Sequence, residues 1–363
     1  MRILLVNPNQ VHLVSRRGKI YNRVWPPLAL ANCGALLEEQ GHEVGIVDAN
    51  ALRLRPDEVA GMAEGYDKVF VSSSSLDRWQ CPNLDLDSVL KTVSSIRTVT
   101  EEFYILGVHG TVRPGEILEM TQARAVIRGE PELTVVDICR GKNLSEIRGL
   151  AYRDNGRVQL SDTQIALDLD MLPRPSFHLL PMDRYHYEVL GSHFTLFEGS
   201  RGCASNCTFC LLKMYGTGVR KKSLDRLIPE IEHAVEHHGV RTAYFMDLEF
   251  TVFRNQVIEL CDYLIKKDLG LRWTCQTRFD LIDPALLARM KRAGCRLIHF
   301  GVEAGSDELL RKVNKKISKR KIEEGMRMVH DALIESACFF ILGFPDSDHQ
   351  EIAETVRFAK RLN

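Results

Sequence analysis

Cys203, Cys207 and Cys210 stand in a C-x3-C-x2-C arrangement inside the segment EGSRGCASNCTFC. Three thiolates on one tight loop match three irons of a 4Fe-4S cluster and leave the fourth iron open to an exogenous ligand. An electron-transfer ferredoxin would normally supply a fourth cysteine. The competing reading is zinc, which also uses closely spaced cysteines but wants four ligands in a closed tetrahedron. The other seven of the ten cysteines are scattered, too sparse for a disulfide scaffold in 363 residues, so the clustering points to metal in a reducing compartment. Cys33, Cys81, Cys139, Cys261, Cys275, Cys295 and Cys338 fall mostly in apolar runs and are read as core. The sequon Asn206-Cys207-Thr208 lies within the cysteine loop, where glycosylation is the weaker reading.

The cysteine loop follows the apolar run FTLF, the first of five β-rich runs after residue 194, each followed by a helix-like stretch: FTLFEGS, TAYFMDLEF, LRWTCQTRFD, RLIHFGVEAG and CFFILGFP. Such βα units in series predict a parallel barrel or an arc of one, with functional groups at the strand ends. Asp247, Glu249, Arg278 and Glu303 fall on that expected edge. Upstream, RILLVNP, EVGIVDA, KVFVSSS, FYILGV and AVIRGE alternate with helical patterns, which predicts a doubly wound parallel sheet. Its ligand loops should be Asn7 to Asn9, Ser72 to Trp79 and Gly107 to Thr111, beyond the carboxyl ends of the strands. A hairpin is expected around Asp154-Asn155-Gly156, and proline punctuates a linker at 173 to 181. The division is therefore 1–140, 141–193 and 194–363. The basic run NKKISKRK at 314 to 321 is read as a solvated helix start.

Composition narrows the function. Lys plus Arg and Asp plus Glu number 48 each, so no global field attracts a polyanion and nucleic acid is not an expected partner. No run approaches the roughly 18 apolar residues of a membrane helix, and the N-terminus MRILLVNPN is too short in apolar residues for a signal peptide, so a cytoplasmic location is expected.

With Phe209 before its last cysteine, at the end of a first barrel strand, the loop resembles that of radical S-adenosylmethionine (SAM) enzymes. Preceded by WPPLALANCGALLEEQGHEVGIVDA, it is similar to their cobalamin-binding subgroup, which includes methyltransferases and the anaerobic porphyrin cyclases. ILGVHGTVRPGEIL, VIRGEPE, MDLEFT, TRFD, FGVEAGSDELL and FILGFP match further, in the right order along the whole chain. The resemblance implies an α/β fold: an N-terminal doubly wound, Rossmann-like cobalamin-binding domain, then a partial (β/α) radical SAM barrel truncated after the fifth strand.

It also implies three cofactors: a 4Fe-4S cluster, SAM and cobalamin. SAM would chelate the open iron and be cleaved reductively to methionine and a 5′-deoxyadenosyl radical, with an electron from a donor such as flavodoxin or ferredoxin. Asp247 and Glu249 would face its amino group, although the family's usual glycine-rich segment is here Asp-Leu-Glu; Arg278 would pair with its carboxylate and Glu303 accept its ribose hydroxyls. In the first domain no D-x-H-x-x-G exists, so no histidine is expected below the cobalt. Ser72, Ser73 and Ser74 would approach the corrin edge, Arg78 or Trp79 shield the cobalt, and Gly107, His109, Gly110 and Thr111 border the nucleotide tail, with Gly129 and Glu130 nearby. The activity implied is methyl transfer to an unactivated carbon of a small-molecule, lipid or tetrapyrrole-like substrate. Oxidative cyclisation or rearrangement with the same cofactors is the alternative, and a non-catalytic iron-sulfur sensor or electron carrier is the rival from another class.

Overall fold

The computed structural model describes the chain except for residues 11–12, 15–19, 22–23, 75–85, 165, 212–214, 216–217, 346 and 363. Arg78, Trp79 and Cys81 thus lie outside the described residues. Two compact units emerge: residues 1–196 with 212–216 and 236–239, and residues 197–211 with 217–235 and 240–363. No helix among the described residues is long and apolar enough to cross a membrane.

The first unit is built on a seven-stranded sheet. Its strands are β1 (Arg2–Asn7), β2 (Glu43–Asp48), β3 (Lys68–Ser72), β4 (Phe103–Leu106), β5 (Ala125–Ile127), β6 (Leu150–Asp154) and β7 (Arg157–Leu160). They run in the order β2-β1-β3-β4-β5-β6-β7. β1 to β5 pair in parallel. The run ILLV in β1 is continuous because both its faces are covered. Ile3 and Leu5 join Leu30, Cys33 and Leu37 of helix α1 (Leu28–Glu39) on one side. Leu4 and Val6 join Val89, Val93 and Ile96 of helix α2 (Asp87–Ile96) on the other. The expected hairpin forms at Asn155 (φ 48°) and Gly156 (φ 76°), both in the left-handed region. It is not free-standing, since β6 pairs antiparallel with β5 and extends the sheet.

Five strands make the second sheet, in the order β8 (Phe194–Phe197), β11 (Thr242–Phe245), β12 (Arg272–Thr277), β13 (Cys295–Glu303) and β14 (Glu335–Phe340). β11 to β14 pair in parallel. Between β8 and β11 in sequence lies a feature the pattern did not foretell: an antiparallel ribbon of β9 (Ser200–Cys203) and β10 (Gly218–Lys221). β14 is the edge of the sheet among the described residues. Cys33, Cys139, Cys261, Cys275 and Cys295 are buried, as core thiols should be. Cys338 departs from that reading: it is only half-buried, on the wall of an open cavity of about 510 Å³ with Met326, Ser336 and Phe340 on the edge strand's side and Thr355 and Ala359 of the last helix opposite.

Candidate functional site

Cys203 ends the ribbon strand β9, and the local chain geometry depends on the residue before it. Gly202 has φ 96°, and a Cβ on it would lie 2.2 Å from the Gly218 carbonyl oxygen, so only glycine lets the two ribbon strands close there. The Cys203 sulfur accepts the Ser205 amide at 3.3 Å. Cys210 N donates to Cys207 O at 3.1 Å, which folds the loop tightly. Phe209 is partly exposed and packs 5.8 Å from the Phe344 ring.

All three cysteines are free thiols. Among the described residues no three His, Cys, Asp or Glu side chains converge tightly enough to hold a single metal ion. A closed zinc site needs a fourth ligand beside these three thiolates. A cluster spreads its thiolates over three irons, and this donor set fits that demand. Burial pushes Cys203 up to about 12, with Glu249 adding to the effect, and burial raises Cys207 as well. Any metal these thiols bound would displace their protons.

The acids at the end of β11 are turned toward the cysteine loop and its strand. Asp247, 2% exposed, accepts Ser200 Oγ–H at 2.6 Å and Gly199 N–H at 2.9 Å. Glu249, 3% exposed, accepts Ala204 N–H at 3.1 Å and Ser205 Oγ–H at 2.9 Å. Burial raises the Asp247 carboxyl to about 7, opposed by those hydrogen bonds and reinforced by Glu198. Beneath the loop, Arg201 and Glu198 form a buried pair at 2.6 Å.

Arg278 follows β12. Its guanidinium forks onto Asp280 with two bonds of 2.9 Å, donates to Lys315 O at 3.0 Å and stands 3.7 Å from Glu249. Glu303 ends β13 at a register shift, with φ 70°, a backbone state uncommon for a residue carrying a side chain. It pairs with Lys315 at 3.0 Å. Arg278, Glu249 and Glu303 are thus gathered about the cysteine loop. Lys315 joins them from the run read as solvated, and nothing in its local sequence signals that burial.

In the first unit, the ends of β3, β4 and β5 bring together Ser72 to Ser74, Gly107 to Thr111, and Gly129 with Glu130. Ser72, Ser73, Ser74 and Glu130 are buried. His109 Nδ1 lies 3.1 Å from Ser73 Oγ, Gln10 donates to Ser73 O at 3.2 Å, and Gly129 N donates to Thr111 Oγ1 at 2.8 Å. Gly110 is packed so that a Cβ would meet Val126 at 2.4 Å. Asn7, at the end of β1, is fully buried, donates to Asp48 at 2.8 Å, and leaves its Oδ1 without a partner among the described residues; the buried Oδ1 of Asn9 is also unpaired. These orphaned acceptors lie at and just past the carboxyl end of β1, the strand from which the order turns to β2 on one side and β3 on the other, and such sheets bind their ligands at that reversal. A large cofactor with amide donors on its rim fits that edge.

Residues 197–359 match the Radical SAM superfamily. Over its whole length the chain is 30% identical to an uncharacterized methyltransferase of Pyrococcus horikoshii, spanning 78% of that protein. It is 26% identical, again over its whole length, to the anaerobic magnesium-protoporphyrin IX monomethyl ester cyclase of Rubrivivax gelatinosus, spanning 66% of it. In fold it resembles the radical SAM methyltransferase TsrM of Kitasatospora setae, solved with cobalamin and a [4Fe-4S] cluster bound, with a TM-score of 0.78 and 17% identity over 99% of this chain and 70% of that one. The three-cysteine loop at the end of a parallel sheet, the match across the second unit and the full-length relatives agree: the chain belongs to the radical SAM superfamily of enzymes.

Proposed function

We propose that the chain is a cobalamin-dependent radical SAM methyltransferase acting on an unactivated carbon of a small-molecule, lipid or tetrapyrrole-like substrate. The observation that carries this reading is the C-x3-C-x2-C loop on its ribbon, in a chain whose other unit is a doubly wound sheet with polar groups gathered at its ligand edge. The full-length relative named a methyltransferase supports the reaction class.

Cys203, Cys207 and Cys210 would hold the cluster, Arg278 and Glu303 the carboxylate and ribose of SAM, and the edge from Ser72 to Glu130 the cobalamin. When bound, these groups supply a carbon-centred radical and a transferable methyl group, with electrons from a flavodoxin- or ferredoxin-like donor. The chain supplies position. Asp247 and Glu249 hold the cysteine loop through Gly199, Ser200, Ala204 and Ser205 rather than reaching past it. The Asp280 fork and the Lys315 carbonyl engage Nε and Nη2 of Arg278 and fix its plane, so Nη1 is the nitrogen that would meet a carboxylate.

Ring closure is the second reading, favoured by the cyclase-named relative that matches along the whole chain. Anaerobic turnover with candidate metabolites, read by product mass, separates the two. Methyl transfer gives a product heavier by one methylene together with S-adenosylhomocysteine, whereas oxidative cyclisation gives no methylated product. A reconstituted protein that releases neither 5′-deoxyadenosine nor S-adenosylhomocysteine would defeat both readings.

A further inference from the structure

Lys315 sits in a stretch whose composition signals solvent, yet it is only 7% exposed. A buried ammonium is costly unless it is paired and hydrogen-bonded. Its Nζ donates to Glu303 Oε1 at 3.0 Å, and both side chains are about nine-tenths buried, at 9% and 10% exposure. The pair lies over Gly301, where a Cβ would come within 2.2 Å of Glu303 Oε1 and 2.8 Å of Lys315 Nζ. The pair thus occupies the space that a side chain at residue 301 would take.

The backbone around Lys315 is equally committed. Thr208 N donates to Val313 O at 3.1 Å, Asn314 Nδ2 donates to Asn206 O at 2.7 Å, and Arg278 Nη2 donates to Lys315 O at 3.0 Å. The first two bonds grip the residues on either side of Cys207. Asn314 and Lys316 both have φ 54°, a state that costs of order 1 kcal/mol for residues with side chains and persists where surroundings enforce it. A solvated helix start needs neither the strained turn nor the grip.

We infer that residues 313–316 form a strap on the cysteine loop, and that Lys315 is a positioning residue whose charge acts on the iron-sulfur cluster and on the ligand of its open iron. The inference rests on the radical SAM reading of the site. Lys315 pairs with Glu303 at 3.0 Å and Arg278 stands 3.7 Å from Glu249 while donating to Lys315 O, so two cations and two carboxylates are joined on the strap that holds the residues flanking Cys207. Reduction adds negative charge to the cluster, and a fixed cation in a poorly solvated site favours the reduced form. Glu303, in turn, keeps its place at the bulged strand end through this lysine.

The test uses the full chain, reconstituted anaerobically, as wild type, Lys315→Met, Lys315→Gln and Lys315→Arg. Three readouts are taken: iron per chain, the midpoint potential of the cluster by EPR-monitored titration, and the SAM concentration that half-saturates the change in the cluster's EPR signal. Lys315→Met is expected to keep its iron, show a lower potential than wild type and need about tenfold more SAM, the scale of one lost charge-assisted hydrogen bond. Lys315→Arg restores both values. Lys315→Gln can still donate to Glu303 but carries no charge, so it holds iron and still shows the lowered potential, even where Lys315→Met loses iron. Wild-type potential and half-saturation in Lys315→Gln overturn the role of Lys315 and leave the cluster reading standing. A wild-type chain that takes up no cluster overturns both.

Discussion

Glu249 accepts the Ser205 hydroxyl at 2.9 Å and so ties the segment that follows β11 to the loop that carries the cysteines. The same carboxylate takes the Ala204 amide at 3.1 Å, so a single side chain fixes two consecutive residues immediately after Cys203. A carboxylate in this position works on the loop's shape before it works on any ligand.

Glu249→Gln should therefore loosen the loop without unfolding the chain. Losing one charge-assisted acceptor costs about 1–3 kcal/mol, and the effect is local. Iron loss to a chelator should run about tenfold faster than in wild type, with unchanged far-UV circular dichroism. Equal rates of iron loss would show that the loop holds itself.

Gly202→Ala strikes the ribbon. The added methyl would meet the Gly218 carbonyl at 2.2 Å, and φ 96° is strained for alanine. The expected cost is about 2 kcal/mol or more, and the cysteine loop loses its anchored strand. Reconstitution of Gly202→Ala should give well under half the iron of wild type; full iron uptake contradicts the ribbon's role.

Asp247 carries a pH dependence of defined sign. Its folded carboxyl titrates near 7 because it is buried, above the ordinary value of 3.8. Between those values the folded chain binds more protons than the unfolded one, so stability falls as pH rises through this window. Asp247→Asn removes the titrating group, and denaturation midpoints compared at about pH 5 and about pH 8 should fall less for the variant than for wild type. Parallel profiles would place the buried proton elsewhere.

His109 lies 3.1 Å from Ser73 through Nδ1, which gives it a hydrogen-bonding role in its own loop cluster. On the cobalamin reading, His109→Ala leaves the optical spectrum of bound cobalamin in the form that lacks histidine coordination, as in wild type. A spectral change at cobalt in that variant would make His109 a ligand.

Much of this arrangement was legible in the sequence because apolar runs such as ILLV and VFV report strands covered on both faces, and Asn155-Gly156 reports a tight turn. The cysteine spacing reported its own chemistry, and the strand-end positions of Asp247, Glu249, Arg278 and Glu303 followed from the βα rhythm. What escaped were partners distant in sequence. The hairpin's membership of the first sheet depends on β5 and β6 meeting across a helix, and no turn signal encodes that. The ribbon beneath Cys203 is short and polar, and its pairing partner lies beyond the loop. Lys315 reads as solvent-facing because four of its next six residues are basic, while its burial is set by Glu303 and by the empty side of Gly301.

Anaerobic reconstitution of the full chain with iron and sulfide, followed by SAM and a reductant, tests the central claim most directly, measured as iron per chain and 5′-deoxyadenosine released. The account predicts about four irons per chain and 5′-deoxyadenosine formation in wild type, and neither in the variant with Cys203, Cys207 and Cys210 all replaced by alanine. Tight zinc with no iron uptake, or a cluster that survives the loss of all three cysteines, would contradict it.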